Sequence, residues 1–151
     1  MKWSLFLLVT AFIFTGCDTP DTPDYKIKVT ALSAEYLAGD TITVRITNKG
    51  DASVFLAISD SLTNLIAYDL QQKSVTGWKT VSPAGTILPG KAVELPSDAS
   101  LDYRFRIPFS SIPENGTTVF RVNHRIYLEA SLSRQAGIQE TATAPFFIKP
   151  L

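Results

Sequence analysis

From Tyr25 onward, apolar and polar residues change places at almost every step, and this period of two is the strongest constraint on the fold. Successive side chains point to opposite faces only in an extended strand. "KIKVTA" sets Ile27, Val29 and Ala31 against Lys26, Lys28 and Thr30. "TITVRIT" sets Ile42, Val44 and Ile46 against Thr41, Thr43, Arg45 and Thr47. "LDYRFRI" sets Leu101, Tyr103, Phe105 and Ile107 against Asp102, Arg104 and Arg106. Strands with one apolar and one wet face belong in antiparallel sheets packed on one side. Turn chemistry interrupts them at Ala38-Gly39-Asp40, Asn48-Lys49-Gly50-Asp51, Thr76-Gly77, Leu88-Pro89-Gly90 and Glu114-Asn115-Gly116. No amphipathic helix emerges; Ser110 to Glu114 has room for one helical turn. Strands are expected over 25–35, 40–48, 53–60, 65–72, 78–82, 91–96, 101–107, 117–132 and 139–149. The expectation is an all-β, antiparallel two-sheet sandwich of about 8–9 strands, filling residues 25–151.

Two segments carry a family resemblance. "EYLAGDTITVRITNKGDASVFLAI" resembles the first half of bacterial immunoglobulin-like domains, where a Gly-Asp turn leads into an alternating strand and an Asn-Lys-Gly-Asp turn into the next. "TILPGKAVEL" resembles the Pro-Gly turn that opens a later strand there. The resemblance extends to BsuPI-type proteinase inhibitors and to accessory domains of cell-surface proteins. It implies an immunoglobulin-like sandwich, and it bears on fold more than on function, because such turns serve many sandwiches. The antibody-type Cys…Trp…Cys pattern is absent, since Cys17 is the sole cysteine.

The N-terminus has a different grammar. Met1-Lys2 brings one positive charge, and Trp3 to Phe14 is a nearly unbroken apolar run. As a helix it spans about 18 Å, short of the roughly 30 Å hydrocarbon core, so it reads as a signal peptide over residues 1–16. Phe14-Thr15-Gly16-Cys17 resembles the lipobox of bacterial lipoproteins, with Phe14 where an aliphatic residue is usual. The resemblance implies that Cys17 is lipidated, by diacylglycerol and an N-terminal acyl chain such as palmitate. The alternative is an ordinary secretory signal with an incidental cysteine. Lipidation is favoured because a lone thiol has no partner in an oxidising compartment. At about 0.8 kcal/mol per buried methylene, several chains make a lasting anchor. Residues 17–24 then form the acylated cysteine and an acidic, proline-punctuated tether, "DTPDTPD", extended over about 20 Å. Acid directly after the cysteine resembles an inner-membrane retention signal in enteric bacteria and a surface-export signal in Bacteroidota. The expected location is the bacterial envelope, at the outer membrane, on its periplasmic or surface face.

Zero formal net charge without a Lys/Arg block speaks against nucleic acid and against an anionic-membrane patch. Catalytic patterns are sparse. His124, the one histidine, falls in the apolar row of "FRVNHRIYLEASL" with Phe120, Val122, Ile126, Leu128, Ala130 and Leu132. There it reads as a core residue satisfied by a neighbour or a backbone carbonyl, ahead of catalytic or metal use. Zinc would lack its usual ligands, and no Gly-x-Ser-x-Gly, P-loop or dinucleotide motif occurs. Asp60, Asp69, Glu94, Asp98 and Asp102 are scattered, and Asp51 or Asp60 lacks the spaced acids of a calcium loop. No enzyme, metal or cofactor is expected.

Trp78, after a glycine turn, either caps the core or anchors a partner or sugar. Phe146-Phe147 puts adjacent aromatics on opposite strand faces, so Phe147 is a second candidate for binding. Arg45, Arg104 and Arg106 are expected on one outer face beside Asp102, as a solvated surface that discourages edge pairing. Asp40-Thr41-Ile42 and Asp60-Ser61-Leu62 resemble short O-glycosylation sites of Bacteroidota, and Asn115-Gly116-Thr117 matches the N-glycosylation sequon. The expected function is a non-catalytic binding or accessory module held to the membrane through Cys17, with another envelope protein or a surface ligand as partner. The rival is a proteinase inhibitor acting through loops Ser59–Leu65 or Ser133–Gln139.

Overall fold

The computed structural model describes residues 24–60, 65–82, 91–107, 117–132 and 138–150. Residues 1–23, which include the expected signal peptide, Cys17 and most of the expected tether, lie outside the described residues, as do Ser110–Glu114, Pro89-Gly90, Asn115-Gly116 and most of the two loops named for protease inhibition. Every described element is a strand: β1 Ile27–Ala31, β2 Glu35–Leu37, β3 Thr41–Asn48, β4 Val54–Asp60, β5 Leu65–Ile66, β6 Asp69–Ser74, β7 Gly77–Ser82, β8 Ala92–Leu95, β9 Ser100–Arg106, β10 Thr118–Tyr127, β11 Ile138–Ala142 and β12 Phe146–Lys149. They form a three-stranded sheet, β1-β3-β9, and a nine-stranded sheet organised around β10. The expected two-sheet β-sandwich is present.

Three expected strands are each divided in two, for local reasons. The stretch 25–35 becomes β1, paired with β3 in the small sheet, and β2, paired with β12 in the large one. Between them the Ser33 amide donates to the Tyr36 hydroxyl (3.0 Å) and the Ser33 hydroxyl to the Glu35 carbonyl (2.7 Å). Side-chain bonds thus stand in for ladder bonds while the chain changes sheets. This makes β2–β12 a parallel pair, whereas every other pair is antiparallel. The stretch 139–149 divides at Pro145, which has no amide to donate. Thr143 bridges the gap, its amide donating to the Val122 carbonyl (2.9 Å) and its hydroxyl accepting from the Val122 amide (3.1 Å). The stretch 65–72 divides where Ala67 bonds back to Ala57 (2.8 Å) before β6 moves across to β10.

The core lies between the sheets. Ile42, Val44 and Ile46 of β3 and Tyr103 and Phe105 of β9 face Val54, Leu56, Leu70, Phe120, Val122, Ile126, Phe146 and Ile148, all buried. Each large aliphatic or aromatic side chain so buried contributes on the order of 1.5–3 kcal/mol. The alternation expected over 117–132 holds in part: Phe120, Val122, His124 and Ile126 are buried while Arg121 and Arg125 face outward, but Asn123 and Tyr127 are buried as well, and β10 ends at Tyr127, leaving Leu128, Ala130 and Leu132 past the strand.

The described chain starts clipped to one end of the sandwich. The Asp24 amide donates to the Asp51 carboxylate (2.8 Å), and the Asp51 amide returns a bond to the Asp24 carbonyl (3.1 Å). Fully buried Asn48 holds the turn, donating to the Ala52 (2.7 Å) and Leu95 (3.1 Å) carbonyls and accepting from the Gly50 amide (3.0 Å). Gly50 has no alternative here: a Cβ would overlap the Asp24 carbonyl oxygen and stand 3.0 Å from the Lys26 nitrogen. Strand β4 leaves this end, and β10 runs back toward it, pairing Tyr127 with Phe55. At about 3.4 Å per residue, Arg121 therefore lies roughly 20 Å up the sandwich from Tyr127.

Candidate functional site

His124 does what its row in the sequence suggests. It is 1% exposed; Nδ1 lies 3.2 Å from the Ala67 carbonyl and Nε2 2.7 Å from the Tyr103 hydroxyl. A carbonyl only accepts, so Nδ1 carries the proton and bare Nε2 accepts from the tyrosine. The ring is thereby fixed as a neutral tautomer tying β10 to β9. Burial pushes its pKa down to about 4, against smaller opposing effects of the Ala67 carbonyl and Asp69. Burial likewise raises Tyr68 to about 12 and Tyr103 well above its ordinary value, Tyr68 adding to the latter. Tyr68 and Phe105 pack beside this pair, with ring centroids 4.5 Å apart. Neutral, partnered and enclosed, the group braces the sheets. Among the described residues, no three His, Cys, Asp or Glu side chains stand close enough to hold a metal ion.

The outer face of the small sheet carries the expected arginines. Arg45 grips Asp102 with two bonds (2.8 and 2.7 Å), while Arg106 reaches Thr41 (3.3 Å). The hydrogen bonds from Arg45, then its charge and that of Arg104, hold the Asp102 carboxyl below the usual carboxylate range.

The outer face of the large sheet carries both binding candidates, three strands apart. Trp78 does not cap the core. The hairpin turn Val75-Thr76 pairs Ser74 with Gly77 and so Lys73 with Trp78, on the side away from Leu70. Half-buried there, the indole is covered by the Arg121 guanidinium, 4.5 Å from the ring centroid, and by the Lys73 ammonium at 5.2 Å. Arg121 is held in plane by a bond from Nε to Gln71 Oε1 (2.7 Å), its partner across β10–β6. Phe147 points outward, 40% exposed, while Phe146 is fully buried. Its cross-strand partners are Val119 and Glu35. Continuing the β10–β6 register by one residue sets Val119 abreast of Lys73, so one row crosses five strands: Glu35, Phe147, Val119, Lys73, Trp78. The row lies at the end of the sandwich opposite Asp24.

Lys73 and Arg121 were not singled out in the sequence, although the signals were there. Arg121 falls on the odd, outward positions of β10, and a two-residue hairpin turn places the residues flanking it opposite each other. Nearby cavities add little chemistry. A recess of about 10 Å³ beside Tyr68, Asp69 and Asn123 has room for one water. A shallow one of about 250 Å³ beside Tyr36 and Leu37 has its charges committed, Lys149 to Glu35 (2.6 Å) and Asp40 to the Leu37 amide (2.8 Å).

No protein-family model matches the sequence. A comparison with curated proteins likewise finds no match. Among solved structures, a β-glucosidase from Listeria innocua in complex with gluconolactone is similar over 83% of this chain, with 13% identity and a TM-score of 0.35. The likeness covers 16% of that enzyme's chain and is too slight to inform fold or activity here.

Proposed function

We propose that this chain is a non-catalytic, lipid-anchored envelope protein whose immunoglobulin-like sandwich docks another envelope protein through the outer face of its large sheet. The strand order supports the immunoglobulin-like reading, with β1-β3-β9 in one layer and β12-β10-β4 in the other. The lipobox-like Phe14-Thr15-Gly16-Cys17 and the acidic spacer after it support the anchor. The observation that carries the docking role is that Trp78 and Phe147, from strands far apart in the chain, stand in one row on one outward face opposite the tethered end. A tether attached at Asp24 would present that face away from the lipid. Aromatic side chains and arginine are enriched at protein interfaces, and an outward face that carries exposed Phe147 and an arginine stacked on Trp78 is suited to such contact.

The test is photo-crosslinking in cells, with a photoreactive residue at Thr80 and partners identified by mass spectrometry. Docking predicts a discrete crosslinked species that disappears with Trp78→Ala or Phe147→Ser. Absence of any discrete species from Thr80, with one appearing instead from the small sheet at Arg104, would move the interface and sink this reading.

A further inference from the structure

Two cations on this face gather on an aromatic ring instead of on acids. Lys26, Arg45, Lys49, Arg125 and Lys149 each stand against a carboxylate, at Asp24, Asp102, Asp98, Glu140 and Glu35. Lys73 and Arg121, like Lys28, Lys79, Lys91, Arg104 and Arg106, have none within ion-pair distance among the described residues; what sets the two apart is that they share the Trp78 ring. The guanidinium lies over the indole and spends only Nε on Gln71, which leaves the terminal nitrogens of its fork uncommitted. A planar fork of this kind matches a carboxylate with two parallel bonds. Stacking also reduces the rotamer entropy that binding would otherwise cost. The nearest acids on the face are turned elsewhere: Glu35 is neutralised by Lys149, and Asp69 lies further down β6, abreast of Asn123.

We infer that Lys73 and Arg121 are a receptor for the carboxylates of an acidic, extended segment of the protein partner, with Val119 and Phe147 taking that segment's apolar side chains. The inference rests on the docking reading above and adds the chemistry of the occupant. A polysaccharide fits less well, because the indole that would stack on a sugar ring is occupied by two cations. The apolar half of the row instead calls for aliphatic side chains. Phe147 is two strand spacings from Lys73, about 10 Å, and alternate residues of an extended peptide repeat about every 7 Å. The complementary sequence therefore carries acid and aliphatic residues two or three positions apart.

The experiment uses the lipidated protein in mild detergent; Trp3 belongs to the leader that the proposed processing removes, so Trp78 is the sole tryptophan of the processed chain and its emission is the reporter. The probes are a capped peptide in which Glu and Leu recur at that spacing, the same peptide with Gln for Glu, and an oligouronate. Saturable change of Trp78 emission by the Glu peptide is expected, weakening at high salt. Lys73→Gln and Arg121→Gln, both at outward-facing positions, are each expected to lower affinity about tenfold, the scale of one hydrogen bond to a charged group. Equal binding of the Glu and Gln peptides, or undiminished binding by both variants, overturns the proposal. So does a response to the oligouronate with none to the peptide. If Thr80 crosslinking persists while the Glu peptide fails, docking stands and the carboxylate receptor falls. If the peptide binds and crosslinking fails, the receptor stands and docking to an envelope protein falls.

Discussion

The Tyr103 hydroxyl on β9 donates to His124 Nε2 on β10 across 2.7 Å, a hydrogen bond between opposite sheets in an otherwise apolar core. It explains how the single histidine sits among valines and phenylalanines without a charge. Protonation would turn Nε2 into a second donor aimed at a hydroxyl that is already donating to it, in a site that penalises charge.

This arrangement makes stability depend on pH in a definite direction. The folded pKa of about 4 lies below the unfolded value of 6.5, so the unfolded chain binds the proton first as pH falls. The contribution is fully present above pH 6.5 and is lost progressively toward pH 4, amounting to on the order of 3 kcal/mol. Asp102, whose pKa is also depressed, acts below its ordinary 3.8 and so outside this window. Urea midpoints of the full chain measured between pH 7 and pH 4 should fall, and His124→Leu should flatten that span. Parallel curves for the two proteins would show that His124 is not the titrating group.

Tyr103→Phe removes the donor and keeps the ring. It leaves Nε2 buried and unpaired, at a cost of about 1–3 kcal/mol. Equilibrium unfolding at neutral pH should register that loss, and an unchanged midpoint would mean that water has replaced the hydroxyl.

Gly50→Ala should unclip the tether. The added methyl displaces the Asp24 carbonyl, and with it the paired bonds to Asp51. A stability loss of about 1–3 kcal/mol is expected, together with faster proteolysis near Tyr25 and Lys26. Slow wild-type-like cleavage in the variant would show that Asp24 docks without this close approach.

Neighbouring phenylalanines should behave oppositely. Phe146→Ala opens a hole against Phe120 and Tyr36 and should cost about 3–5 kcal/mol. Phe147→Ser, on the outer face, should shift stability by no more than about 0.5 kcal/mol. Thermal melts of the two variants side by side decide it, and similar losses would mean that both faces of β12 are covered.

Cys17→Ser tests the anchor. Intact mass should lose the acyl increment, and the protein should leave the membrane fraction. Retention of both would assign the anchoring to another feature of the chain.

Part of the candidate face, Phe147 above all, was legible in the sequence. Period-two alternation is a local property of the backbone, so it separated Phe146 from Phe147 and placed His124 among the core residues of β10. The parity of β9 and β3 likewise put Arg45 and Asp102 on one wet surface, and the register then paired them directly. Trp78 was ambiguous for a physical reason. A tryptophan is amphipathic, and a short edge strand with polar neighbours has no apolar row to say which side faces inward.

The sequence by itself determined the elements that depend on near neighbours: alternating strands, the turns at Gly39, Gly50 and Gly77, and the Asn48 corner. Tertiary structure alone decided which strands share a sheet, where the chain changes sheets at Ser33 and where its last strand breaks at Pro145, and that Lys73, Arg121 and Trp78 meet. Alternation says that a side chain points in or out but not what lies beside it. Its neighbours are set by cross-strand register, and register is chosen by how the whole core packs.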